Sequence, residues 1–217
     1  MLGGTQRLLV VAPHPDDEVL AAGGLLAQAA DRGCQVQIVA VTDGENSHPG
    51  STAYPSAALK QLRSHERHAA LQHLNPRAQV QRLRFEDTRV ADHVDALTAR
   101  LSQLCNHGDL LLTTWRGDGH ADHEATAQAC LALCRLRGLK LVEVPVWAWQ
   151  WASPGDARLP WHRARVVLLD AEAVRRKHLA LLQYASQLSI DPSTGRRAVI
   201  SSAMVQRASR PFELLFV

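Results

Sequence analysis

Two short stretches hold the residue types of a metal-assisted hydrolytic site. The first is His14-Pro15-Asp16-Asp17-Glu18, and the second is His120-Ala121-Asp122-His123. Zinc takes histidine nitrogen and aspartate oxygen, and a catalytic zinc keeps three protein ligands plus one open position. His14 and Asp17 stand three apart on a turn bounded by Pro13 and Pro15, so both can face one ion, and His123 can supply the third ligand. Asp16 and His120 are then free for proton transfer. Zinc lowers the pKa of bound water to about 7. Asp16 is the expected base, His120 the group that stabilises the oxyanion, and Asp122 the residue that holds His120 in one tautomer.

These stretches need elements that deliver them to one place. Residues 8–12 are wholly apolar and stop at the Pro-His-Pro turn, which predicts a strand buried on both faces over 7–12. A helix follows over 17–32, closed by Gly33, and then a Val/Ile-rich strand over 35–42. Residues 43–56 are polar and rich in Gly, Pro and Ser, a loop suited to covering a site. Helices are expected over 57–74, 91–106, 122–137, 171–185 and 202–208. Strands are expected over 80–85, 109–115, 140–147, 163–169 and 212–217, with 186–201 irregular.

This alternation implies one α/β domain over 1–217, Rossmann-like, with a mostly parallel sheet and helices on both faces. In the common 3-2-1-4-5 order the first and fourth strands meet where the winding reverses, which is where such sheets hold ligands. His14 to Glu18 follows one of these strands and His120 to His123 the other.

Composition narrows the partners. Among 217 residues, Lys plus Arg is 24 and Asp plus Glu is 21, so the net charge is only +3. The basic residues are scattered, and Arg175-Arg176-Lys177 reads as a solvated helix face, so nothing suggests nucleic acid or a membrane surface. No run is long enough to span a membrane. The start, Met1 to Arg7, leads straight into the first strand without the features of a signal peptide. The four cysteines are not spaced as a disulfide framework, and Cys130 with Cys134 reads as core packing rather than a metal half-site. The chain is expected to be cytoplasmic, and the sequence leaves self-association open. Trp147, Trp149, Trp151 and Trp161 read as packing under a loop more than as a binding wall.

Three other readings stand beside the hydrolytic one. The carboxylates at 16–18 would favour a helix start simply as caps and dipole partners. A nucleotide-binding module needs a Gly-rich turn after the first strand, and three carboxylates there repel phosphate. A metal-binding protein without turnover has the same residues.

The two motifs in this order resemble those of the PIG-L (LmbE-like) family of zinc-dependent de-N-acetylases, over nearly the whole chain. Thr42-Asp43-Gly44, Arg63 with Glu66, Asp87, and Lys177 followed by Ser186-Gln187 also resemble family positions. The resemblance implies zinc or ferrous iron on His14, Asp17 and His123, Asp16 as general base and His120 stabilising the intermediate. It implies that Arg63 and Asp87 help hold a small N-acetylated amino sugar or its conjugate, whose acetyl group is removed. Arg63 and Glu66 could equally be a surface ion pair on one helix. Another acyl amide is the alternative substrate. The chain departs from the family pattern at Pro13, Ala121 and Tyr184, none of them an expected ligand.

Overall fold

Along β1 (Arg7–Ala12), Leu8 and Val10 enter one apolar cluster while Leu9 and Val11 enter another. Alternate side chains leave a strand by opposite faces, so β1 carries a packed layer on each side, as its unbroken apolar run predicts. The computed structural model describes residues 7–217. Residues 1–6, read above as leading directly into β1, lie outside the described residues.

β1 pairs in parallel with β2 (Gln35–Thr42) on one side and β4 (Leu110–Thr114) on the other. β3 (Gln79–Phe85) adds to β2, and β5 (Lys140–Val144) to β4, again in parallel. The sheet is completed by β7 (Phe212–Phe216) and β6 (Ala164–Leu168), both in antiparallel pairings, giving the order β3-β2-β1-β4-β5-β7-β6. The winding reverses between β1 and β4, as expected. One face is covered by α1 (Asp17–Asp31), α2 (Ser56–Leu74) and α6 (Ala171–Leu181), the other by α3 (Val94–Leu104) and α4 (Ala121–Arg137). Cys105, Cys130 and Cys134 pack in this second layer, and burial pushes all three thiols up, so they behave as core side chains.

Several elements stop short of their sequence expectations for identifiable reasons. α1 kinks at Ala22, where φ is −146°. Beyond the kink the freed N–H groups of Gly24 and Leu25 donate to the Glu213 carboxylate at 2.7 and 3.0 Å. Lys177 lies 2.8 Å from the same carboxylate and is buried, not on a solvated face. Its neighbour Arg176 is turned inward too, donating to the carbonyls of His73 and Leu74. β5 ends at Val144 because the next N–H groups turn to an aspartate of the site. The expected helix over 171–185 breaks after Leu181 and resumes as α7 (Ala185–Leu188), which frees the Ser186 N–H for Glu66. The expected helix over 91–106 opens with a 3-10 turn at Val90–His93. The α5 turn (Ala148–Trp151) and α8 (Ser202–Ala208) complete the chain. Among the described residues no helix is long and apolar enough to cross a membrane.

Candidate metal centre and cleft

The chain turns sharply where β1 ends. The His14 N–H donates to Asp17 Oδ2 at 2.9 Å, which folds the 14–17 turn back on itself. Asp16 at its centre has φ 121°, a region that costs a non-glycine residue about 1–3 kcal/mol. Its carbonyl accepts from Val19 and Leu20 at 2.9 Å each, and its Oδ2 accepts from Arg63 at 2.9 Å. The strained residue is thus held from both ends.

The turn sets His14 Nδ1 3.3 Å from Asp17 Oδ2. From α4, His123 Nε2 lies 3.2 Å from that nitrogen and 3.4 Å from that oxygen. Three donors about 2.0–2.1 Å from one tetrahedral zinc stand about 3.3–3.4 Å apart. The triangle therefore has the size, the donor types and the burial that one divalent ion requires.

Both histidines are oriented from behind. His123 Nδ1 is 2.6 Å from Asp118 Oδ2, and Asp118 collects the N–H groups of Val146, Trp147 and Ala148 at 3.0, 2.8 and 2.8 Å. His14 Nε2 lies 3.1 Å from both Asp87 Oδ1 and Asp122 Oδ2. Asp122 accepts in addition from the N–H groups of Thr88 at 2.7 Å and Val90 at 3.1 Å. A carboxylate behind a ligating imidazole fixes its tautomer and raises its basicity.

The electrostatics follow from this crowding. Burial works against the charged form of His14, but Asp122, Asp17 and Asp87 together hold it well above the usual imidazole range. Burial would raise Asp17, yet His123 and His14 hold its carboxyl well below the usual range. Asp87 is likewise held down, to about 2, by His14 against the effect of burial. Asp16 goes the other way. Burial pushes its carboxyl up to about 7, with the Arg63 guanidinium opposing. Burial also brings His120 down to about 4, with His14 and His123 adding to the shift. His120 Nδ1 accepts from the Asp122 N–H at 3.3 Å, so a neutral His120 carries its proton on Nε2.

His14, Asp16, Asp17, Arg63, Asp87, His120 and His123 all line one cleft of about 420 Å³. Three of the sequence assignments change. The Asp122 carboxylate reaches His14 rather than His120, because α4 begins against the 88–90 turn and its first aspartate is drawn to those N–H groups. Asp87 is not at a rim: it is buried against His14, and its Oδ2 takes the Asn46 N–H at 2.8 Å. Arg63 is also buried, donating to Pro15 O, Gly44 O and Asp16, so it is neither a surface partner of Glu66 nor a rim residue. A Cβ at Gly44, where φ is +68°, would collide with this guanidinium.

The 43–56 loop does lie on the site, with Asn46, Ser47 and Pro49 lining the cleft. The tryptophans divide. Trp147 is a cleft wall, its ring 5.3 Å from that of His120, whereas Trp151 packs on Trp115 and donates to Asp118 O. Sequence reasoning missed Asp118, although a carboxylate two residues before His120 was a readable signal. Glu18, which the sequence offers only as a helix-start carboxylate, accepts from Arg67 at 3.1 Å and from Tyr184 Oη at 2.9 Å in a fully buried group.

Fold and site together define an α/β protein with a histidine- and carboxylate-rich centre at the point where its sheet reverses, in which His14 lies close to His120 and His123 and also to Asp87 and Asp122. The family model described as PIG-L: GlcNAc-PI de-N-acetylase matches residues 9–134, and the chain belongs to that family. A 1D-myo-inositol 2-acetamido-2-deoxy-alpha-D-glucopyranoside deacetylase of Mycobacteroides abscessus is 31% identical over 144 residues, 55% of this chain and 52% of that protein. The chain thus spans about half the length of this curated relative. Among solved structures, the antimicrobial reagent A40926 pseudoaglycone deacetylase is 29% identical with a TM-score of 0.72, covering 98% of this chain and 96% of that one. The zinc-inhibited form of teicoplanin deacetylase, at 24% identity, shares the fold with a TM-score of 0.73 over 97% of each chain.

Proposed function

We propose that this chain is a metal-dependent hydrolase that removes the acetyl group from an N-acetylated amino sugar or its conjugate. The observation that carries the reading is the His14–Asp17–His123 triangle, sized for one ion and flanked in the same cleft by Asp16 and His120. The relatives named above, described as deacetylases, support it. His14 Nδ1, Asp17 and His123 Nε2 would hold the ion. Zinc or ferrous iron suits this two-histidine, one-carboxylate set. Such an ion supplies Lewis acidity and makes a bound water acidic near neutral pH.

The chain's own groups divide the remaining work. Asp16 takes the proton of the attacking water as the amide carbonyl becomes tetrahedral, and Arg63 holds its carboxylate in place. His120, neutral with its proton on Nε2, donates a hydrogen bond to the developing oxyanion. Asp16 then passes its proton to the sugar nitrogen as the C–N bond breaks, leaving acetate and a free amine. Asp118, Asp87 and Asp122 keep the two histidines oriented. We further propose that residues 1–217 act as one deacetylase unit in the cytoplasm on a small-molecule substrate. The test is acetate release by the metal-loaded protein against a panel of N-acetyl amino sugars and conjugates. Turnover of at least one, lost with a chelator, is expected. No acetate from any, with metal bound, would overturn the reading.

A further inference from the structure

The peptide group joining Pro15 to Asp16 is held at both ends. Its carbonyl accepts from Arg63 Nη2 at 2.6 Å, and its N–H donates to Glu18 Oε2 at 3.4 Å. The plane of this peptide sets φ of Asp16. The value of 121° is one that a non-glycine residue keeps only when its surroundings hold it there. The same plane sets the direction of the Asp16 Cβ, and so where its carboxylate enters the cleft.

Glu18 is itself fixed. Its Oε1 accepts from Arg67 Nε at 3.1 Å and from Tyr184 Oη at 2.9 Å. All three side chains are buried. Arg63 and Arg67 stand one helical turn apart on α2, so one helix face supplies both clamps. Arg63 serves the carbonyl end of the peptide, and Arg67 serves the N–H end through Glu18. Tyr184 stands at the break between α6 and α7. Glu66 locks that break to α2 by accepting from the Ser186 N–H and Oγ at 2.8 Å each.

Stability alone does not account for this group. Arg67 Nη1 and Nη2 are buried with no acceptor among the described residues. A buried ion pair left partly unsatisfied gains little over apolar side chains of the same volume. Nor do Glu18, Arg67 and Tyr184 line the cleft. What they adjoin is the turn that carries the base.

We infer that Glu18, braced by Tyr184 and Arg67, is a positioning residue for Asp16. It holds the Pro15–Asp16 peptide so that the strained turn keeps the Asp16 carboxylate at the cleft. This rests on the reading of Asp16 as general base and deepens it. Tyr184 is also a position where the chain departs from the family pattern, so the brace uses a residue particular to this chain.

The experiment measures kcat, KM and zinc affinity for metal-loaded Glu18→Gln, alone and combined with Asp16→Asn. The glutamine keeps the size of Glu18 but turns an NH2 group toward a donor that the carboxylate accepted from. In the single variant kcat should fall about 10–100-fold, with KM and zinc affinity changed by less than about twofold. In the Asp16→Asn background the same substitution should cost less than about twofold, because Glu18 acts only through the base. An equal loss in both backgrounds marks a merely structural Glu18 and overturns the inference, as does an unchanged kcat. Tyr184→Phe removes one brace and is the second variant should Glu18→Gln fail to fold. Its kcat should fall about threefold to tenfold, again only where Asp16 is present. A crystal structure of the folded variant gives a readout independent of turnover. Asp16 should leave its positive φ or lift its carboxylate from Arg63, and a turn unchanged in both respects overturns the inference. If no substrate turns over, the deacetylase reading fails, and this crystal structure alone decides whether Glu18 holds the turn.

Discussion

Asp122 Oδ2 lies 3.1 Å from His14 Nε2 while the same carboxylate accepts the backbone N–H groups of Thr88 and Val90. The second motif therefore does more than present His123, because its aspartate orients the histidine of the first motif. Two motifs more than one hundred residues apart are joined by this contact.

If that contact tunes a ligand, Asp122→Asn should bind metal about 10–100-fold more weakly, the usual cost of losing such a partner. Competition against a chelating dye measures it. Unchanged affinity in a folded variant would show that His14 is oriented without Asp122.

Asp16 and Asp17 are neighbours with opposite expected behaviour. Asp16→Asn should keep its metal and lose about 10²–10⁴-fold in kcat, the usual worth of a general base. Asp17→Asn should lose metal first, and its activity should recover with added ion. Metal content and kcat measured on the same preparations separate the two, and the reverse pattern would exchange their roles.

The two half-sites were legible because each is local: His14 and Asp17 share a turn between prolines, and His123 sits in a short His-Ala-Asp-His stretch, while the strand order brings the two together. The strand order was legible because β1, β2 and β4 announce themselves by apolar runs and a helix follows each of the first four strands. What was not legible depended on long-range docking. Asp122 lay near two histidines in sequence, and only the seating of α4 against the 88–90 turn decides between them. Asp118 gains its role when residues 146–148 fold back onto it, which also ends β5 early. Arg63 and Glu66 have the spacing of a surface pair, yet α2 buries both: Arg63 under the 14–17 turn and Glu66 against Ser186. Lys177 sat in a basic run that looked exposed, yet it is drawn inward by the Glu213 carboxylate, which also takes the N–H groups of the kinked α1.

Glu143 on β5 offers a test of stability away from the cleft. It accepts from Arg116 and Arg163, at 2.5 and 2.7 Å on one oxygen. Burial would raise its pKa, but the two arginines hold it below the usual value. A lowered carboxyl contributes stability that is present above the unfolded value of about 4.3 and is lost as pH falls through the native one. Glu143→Gln should therefore cost about 1–3 kcal/mol near neutral pH. The figure is below that for fully buried pairs because the arginine side chains are 34% and 28% exposed. Denaturant melts at pH 7 and pH 3.5 should show this gap narrowing in acid. A gap that widened would mean that Glu143 is held neutral in the native fold.

The most direct test of the account is a titration of metal-stripped protein with zinc, following acetate release from a substrate found in the panel above. One ion held by His14, Asp17 and His123 predicts activity that rises in proportion to added metal and breaks at one equivalent per chain. His123→Ala should abolish the break. Full activity in the stripped protein, or a break at two equivalents, would contradict a single-ion hydrolase.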